Sequence, residues 1–199
     1  MNEWIKYPLT LRGENVELVS LERSHFDDLK DLAKEKRIWE FYIVAFSDPD
    51  KFNELYDEAL KERDTGNQYP FVIIHKKENK IIGSTRFLDV QKENRKLEIG
   101  WTWLHPDYWS TNVNTECKLL MLTFCFEGLN TCRVQFRTDE KNLRSRKAIE
   151  KTGAKYEGTI RNDMIRDNGT KRNSALFSIT DDEWADAKSK LQQLCHSVK

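Results

Sequence analysis

The sequence predicts a mixed α/β (α+β) domain. Its hydrophobic period switches repeatedly between two and 3.6 residues, turn residues fall singly between the periodic segments, and 199 residues suffice for one sizeable core. Residues 16–21 alternate as a strand. Ser24 follows as an N-cap with Asp27 three places on, opening a helix to about Glu35. A second helix at about 50–64 carries Phe52, Leu55, Tyr56, Ala59 and Leu60 on one face. Three strands are expected at 69–75, 80–90 and 96–104, the first two joined as a hairpin through Glu78-Asn79-Lys80. After Pro106 a short polar stretch leads into an apolar helix, 114–128. A strand at 133–138 is followed by a basic helix, 142–152, which Gly153 closes at the C′ position. Two alternating segments, 154–166 and 172–179, flank an Asn168-Gly169 turn of the favoured hairpin type. Asp181 caps a final amphipathic helix carrying Trp184, Leu191 and Leu194. The order is β-α-α-β-β-β-α-β-α-β-β-α.

Composition narrows the function. Lys+Arg and Asp+Glu balance at 33 each, which is not the basic footprint of a nucleic-acid binder. Mean hydropathy is −0.75, yet 38% apolar and 11% aromatic content argues against disorder. No Pro/Gly/Ser-rich stretch or internal repeat marks a linker, so 1–199 reads as a single domain. The start lacks the long apolar run of a signal peptide and no window approaches a membrane span, so the expected location is cytoplasmic, without membrane contact. Cys117, Cys125, Cys132 and Cys195 show no metal-ligand spacing; they read as free thiols, three of them in core segments, and no metal is expected. His25, His75, His105 and His196 form no cluster.

Three stretches carry a resemblance: Leu97-Glu98-Ile99-Gly100-Trp101 running to Leu104-His105-Pro106; Trp109-Ser110-Thr111-Asn112-Val113-Asn114-Thr115-Glu116; and Asn142-Leu143-Arg144-Ser145-Arg146-Lys147-Ala148-Ile149-Glu150-Lys151-Thr152-Gly153-Ala154. In this order, within this element string, they resemble the GNAT superfamily of acetyltransferases, and within it the RimJ/RimL-type branch that acts on ribosomal-protein N-termini. The resemblance covers about 9–184, with a C-terminal helix at 181–195. It implies a central mixed, mostly antiparallel sheet, splayed at the acyl-CoA site and flanked by helices. It also implies transfer of an acetyl or other short acyl group from coenzyme A to a primary amine by direct attack in a ternary complex, by a monomer or homodimer. A catalytically degenerate CoA- or partner-binding module of the same fold is the alternative.

The second stretch fits that chemistry on physical grounds, since a loop leading into a helix start offers unpaired amides and a positive dipole end to a pyrophosphate. The family pattern there is Gln/Arg-x-x-Gly-x-Gly/Ala; Trp109, Asn112 and Asn114 replace its key positions. Asn112 is expected to hold the loop in the left-handed region, and Asn114 to serve as N-cap. Thr111, Val113 and Thr115 complete the expected phosphate loop.

The resemblance further implies that backbone groups near Trp103 and Leu104 hold the pantetheine arm and that Asn142 contacts the cofactor. The basic run Arg144, Arg146 and Lys147 reads either as an ordinary solvated face or, on a helix bordering a nucleotide site, as the source of one residue for the 3′-phosphate, and Lys147 is the expected cofactor contact among them. Glu98 is the expected base, or else a solvent-facing carboxylate of an alternating strand. Ser145 is the expected group at the leaving thiolate, because Ile149 stands where many relatives have a tyrosine. Asn142 also reads as an ordinary N-cap. For the acceptor the implied pocket holds Trp39, Phe41, Tyr42, Trp101 and Met164, with Phe46 nearby; aromatics at such spacing equally suit a core. The first two helices and the 166–171 hairpin turn are expected to narrow the entrance to a small-molecule amine or a peptide N-terminus.

Overall fold

The computed structural model describes residues 4–44 and 49–197. In chain order these form β1 (Thr10–Arg12), β2 (Val16–Ser20), α1 (Phe26–Ala33), α2 (Pro49–Thr65), β3 (Tyr69–His75), β4 (Lys80–Gln91) and β5 (Lys96–Leu104). There follow α3 (Val113–Thr123), β6 (Arg133–Asp139), α4 (Leu143–Lys151), β7 (Lys155–Ile165), β8 (Lys171–Thr180) and α5 (Trp184–Ser197). One eight-stranded sheet runs β1-β2-β3-β4-β5-β6-β8-β7. Every neighbouring pair is antiparallel except β5 and β6.

Strand alternation builds a core on each face. On β3, Phe71 and Ile73 pack with Val113, Met121, Leu122 and Leu191 of α3 and α5. Val72 points the other way, into a cluster with Leu29, Phe52 and Tyr56 of α1 and α2. Truncating Phe71, fully buried, to alanine would cost about 3–5 kcal/mol.

The parallel ladder between β5 and β6 is short, joining only Lys96–Glu98 to Arg133–Gln135. Beyond Glu98 the two strands part. On its other side β5 carries a bulge: Ser84 pairs with Trp103 and Arg86 with Gly100, so Thr85 faces both Trp101 and Thr102. Trp101 takes φ 48°, which costs a non-glycine residue about 1–2 kcal/mol. A bulge bends its strand and increases its twist, and here it turns β5 away from β6.

Several local expectations are corrected. The three-residue β1 was not foreseen, being too short for alternation to register. Ser24 is not the cap of the first helix: Glu22 caps a 3-10 turn at Arg23–His25 that leads into α1, its amide donating to His25 Nδ1 at 3.1 Å. Thr180, rather than Asp181, caps the turn before α5, in a capping box with Glu183. The 166–170 loop is not a two-residue turn. Gly169 N–H donates to Arg166 O at 2.8 Å and Arg166 N–H to Thr170 O at 2.9 Å, and only Gly169 takes positive φ, 77°, which is a three-residue loop with a glycine bulge. Gly153 does close α4 in the left-handed region, at φ 93°. Cys117 and Cys125 are buried, whereas Cys132 and Cys195 are half-buried.

Candidate active site

A cleft of about 640 Å³ opens where β5 leaves β6, and its two ends differ in chemistry. One end lies at the starts of α3 and α4, lined by Thr111, Asn114, Thr115, Arg144, Ser145 and Lys147. The first turn of α3 explains why these residues matter. Val113 N–H donates to Thr111 Oγ1 at 3.3 Å, and Glu116 N–H begins the helical ladder by donating to Asn112 O at 2.9 Å. No hydrogen bond runs from the amide of Asn114 or Thr115 to another described residue, and both residues line the cleft at the positive end of the helix.

The asparagines are used differently from expectation. Asn112 is right-handed, φ −72°, and its Nδ2 donates to Cys195 O at 2.9 Å, tying the loop to α5. The left-handed position is Ser110, φ 63°. Helix α3 starts at Val113, so Asn114 lies inside its first turn and is not the cap. Neither Asn112 nor Val113 lines the cleft; Val113 packs in the core at 5% exposure.

In the middle of the cleft, the free edge of β5 meets two aromatic donors. Tyr42 Oη donates to Thr102 O at 2.7 Å, and Trp109 Nε1 donates to Leu104 O at 2.9 Å. Each carbonyl retains a second lone pair. Above Trp109 stacks the Arg144 guanidinium, 3.6 Å from the ring centroid, while Arg146 turns away to Tyr156 and Glu140 O. The Trp103 side chain lies in the α1–α2 core with its Nε1 on Tyr56 Oη at 3.1 Å.

Glu98 ends the parallel ladder, and its side chain is 5% exposed, which rules out the solvent-facing alternative. It accepts from Arg137 Nε at 2.7 Å and Gln135 Nε2 at 3.0 Å. Burial raises its pKa above the ordinary carboxylate value, against the opposing pull of Arg137. Asn142 caps α4, its Oδ1 accepting from Ser145 N–H at 3.0 Å, which leaves its Nδ2 for another partner. The Ser145 hydroxyl faces the cleft with no partner among the described residues, and Ile149 is in the core.

The other end is walled by Phe41, Tyr42, Trp101 and Met164. Trp39 is not part of that wall: it packs behind Tyr42 and donates its indole N–H to Ala33 O at 2.7 Å. Phe46 lies outside the described residues. A bulge in β7 between Ile160 and Met164, with Asn162 at φ 50°, turns the consecutive residues Asp163 and Met164 both toward the cleft. Such bulges re-aim side chains.

Sequence reasoning missed the charged residues here. Arg137 bridges Glu98 and, at 3.7 Å, Asp163. Asp139 pairs closely with Arg166. Lys118, 6% exposed, lines the cleft from α3, and Arg172 lines it from β8. The available signal was periodicity, since Lys118 follows Asn114 and Thr115 by four and three residues on one helix face.

The splayed strands, the helix start at their mouth and the buried carboxylate beside the gap define a mixed α/β protein with a cleft between two parted strands. The chain belongs to the acetyltransferase (GNAT) domain family, whose pattern matches residues 15–155, and is an enzyme of the N-acetyltransferase class. It is similar to the uncharacterized N-acetyltransferase p20 of Bacillus licheniformis, 24% identical over 88% of this chain and 98% of that protein. In structure it is similar to a GCN5-related N-acetyltransferase from Brucella melitensis, with TM-score 0.87 at 24% identity over 96% of this chain and 87% of that one. Mycobacterium smegmatis RimJ, solved in complex with CoA-disulfide, aligns with TM-score 0.80 at 18% identity over 94% of each chain.

Proposed function

We propose that this protein moves an acetyl or other short acyl group from coenzyme A to a primary amine by direct attack within a ternary complex. The observation that carries this reading is the juxtaposition of the unpaired Asn114 and Thr115 amides with the parted edge of β5. The amides suit the pyrophosphate of the donor, and an extended β5 edge suits the amide-bearing pantetheine arm. Arg144 and Lys147 supply positive charge at the same end, and Asn142 Nδ2 offers a further donor.

At the reaction centre the thioester carbon is attacked by a neutral amine, the carbon–nitrogen bond forms, and the carbon–sulfur bond breaks. Before attack Glu98 takes a proton from the ammonium form of the acceptor, directly or through one water, which leaves the neutral amine; its raised pKa makes it a better base than an exposed carboxylate. Ser145 donates to the departing thiolate. Tyr42, Trp101 and Met164 wall the acceptor, which is a small-molecule amine or the flexible end of a peptide.

Isothermal titration with acetyl-CoA, followed by thiol release against a mixed amine panel, tests the reading. Binding with amine-dependent thiol release is expected. Binding with no release from any amine would favour a non-catalytic CoA-binding module.

A further inference from the structure

At the acceptor end of the cleft one arginine has acidic neighbours, Asp139 and Asp163, but no ion pair among the described residues. Arg172, on β8 in register with Met164 of β7, lines the cleft. No carboxylate lies within 4.0 Å of its guanidinium, and no side-chain hydrogen bond reaches it among the described residues. Its Nε is sealed from water and unpartnered, so only the outer Nη edge of the fork can take a ligand. Of the acids around it, Glu98 is held by Arg137 and Gln135 and Asp139 by Arg166 and the Lys141 amide. Asp163 comes only within 3.7 Å of Arg137 and keeps a buried Oδ2 without a hydrogen-bond partner, and both aspartates lend negative charge near Arg172 without pairing with it.

Arg86 repeats the pattern one layer deeper. It is 5% exposed, and its guanidinium lies over the Trp101 ring at 4.9 Å from the centroid. Its one side-chain acceptor is Gln68 Oε1 at 3.1 Å, and its Nε is also unpartnered. Burial lowers the pKa of both arginines from the usual guanidinium value. Arg86 is answered by Gln68 and the Trp101 ring, whereas the half-buried Arg172 has no hydrogen-bonded partner among the described residues and lines the cleft, which makes it the candidate ligand contact of the two. The donor's phosphates do not answer it, because the amides suited to them are at the opposite end, on α3.

We propose that the acyl acceptor carries a carboxylate close to its reactive amine and that Arg172 receives this carboxylate through its Nη edge. This rests on the acyl-transfer reading above. A single guanidinium fork matches one planar carboxylate, and the cleft supplies the rest of the recognition: Trp101 and Tyr42 flank the acceptor, and Glu98 serves the amine. Two sources of that chemistry exist, a free α-amino acid and a peptide whose N-terminal residue is acidic.

The test uses the full chain with saturating acetyl-CoA and compares matched acceptors: α-amino acids, their carboxamides, and dipeptide amides beginning with Asp or Asn. Wild type should prefer a carboxylate-bearing acceptor over its neutral match by about 10- to 100-fold in kcat/KM, the range of a charge-assisted hydrogen bond. A preference for free amino acids over their carboxamides identifies the first source, and for Asp- over Asn-peptides the second. In Arg172→Gln the preference should collapse to within about threefold, the loss falling mainly on the carboxylate-bearing acceptors, and Arg172→Lys should restore part of it. Equal use of acid and neutral acceptors by wild type, or an equal loss on both in Arg172→Gln, would overturn the proposal. Calorimetry of the acids and their neutral matches on the CoA-loaded protein gives a readout independent of turnover. Tighter binding of the acid supports the proposal even if transfer fails, whereas transfer without discrimination refutes it and leaves the acyl-transfer reading intact.

Discussion

The ammonium of Lys118 lies 2.7 Å from Thr102 Oγ1, and no carboxylate reaches ion-pair distance of it among the described residues. Thr102 in turn meets Thr85 Oγ1 at 2.7 Å, across the bulge that turns β5 from β6. A polar chain thus runs from α3 through the bulge to β4, with a buried positive charge at its end.

Burial lowers the pKa of Lys118 from 10.5 to about 8. Between these values the unfolded chain holds a proton that the folded chain has lost, so this group makes stability rise with pH across that window. Below about pH 8 the buried ammonium opposes folding. Lys118→Met should therefore stabilise the protein at pH 7 by about 1–3 kcal/mol, and the advantage should fade toward pH 10.5. Urea unfolding of both proteins at pH 7 and pH 9.5 measures it; a gap that does not shrink with pH would assign the effect to packing.

Glu98→Gln should lower the acyl-transfer rate by about 100-fold or more, the range of a positioned proton acceptor, with acetyl-CoA affinity held within about twofold. Ser145→Ala should lower it by a smaller factor. The pH profile adds a second check. The acidic limb in wild type should fall above the ordinary carboxylate range, because burial raises the Glu98 pKa, and Arg137→Gln should move it higher by removing the opposing charge. A loss below about threefold in both Glu98→Gln and Ser145→Ala would leave proximity of the bound reactants as the mechanism.

Asn114→Pro removes one of the two unpaired amides at the start of α3. Proline is tolerated in a first helical turn, where the N–H has no helical partner, so the unfolding midpoint should hold. Acetyl-CoA affinity should weaken by about tenfold or more, as expected for a lost hydrogen bond to a charged group. Unchanged affinity in the folded variant would remove the phosphate assignment from this loop.

Arg144 and Trp109 should be coupled through their 3.6 Å stacking contact. A double-mutant cycle with Trp109→Leu and Arg144→Met should give a coupling of about 0.5–2 kcal/mol in unfolding free energy. Trp109→Leu should in addition weaken acetyl-CoA, because Arg144 loses its support and the Leu104 carbonyl loses its donor. Strict additivity would show that the ring and the cation act independently.

Much of this molecule was legible in the sequence. The strands β2 through β8 were each located, and in β2 the burial does alternate with a period of two; β3 and β4 are buried on both faces, and β3 reads as a continuous apolar run. The apolar stripe of Phe52, Tyr56 and Leu60 located α2, because one buried helix face imposes a period of 3.6. The polar steps before α3 and α4 marked two helix starts, and Thr111, Asn114, Thr115, Asn142 and Ser145 meet at those starts because a helix N-terminus is a local property of the chain. Gly153 announced the end of α4 by the same local logic.

Only the tertiary structure decided how the charges are spent. Glu98 reads from sequence as either a base or an exposed strand residue, and its burial against Arg137 and Gln135 depends on a parallel pairing between segments more than thirty residues apart. Asn112 was assigned a left-handed turn that Ser110 takes instead, because contact with α5 fixes Asn112 in a right-handed conformation. Trp39 passed into the core and Asp163 into the cleft, the latter by a bulge that no period reveals. Periodicity reports which face of an element is apolar. Whether a lysine such as Lys118 or an arginine such as Arg172 is left without an ion pair depends on which distant elements pack around it, and that is set by the splay between β5 and β6 and by the bulges in β5 and β7.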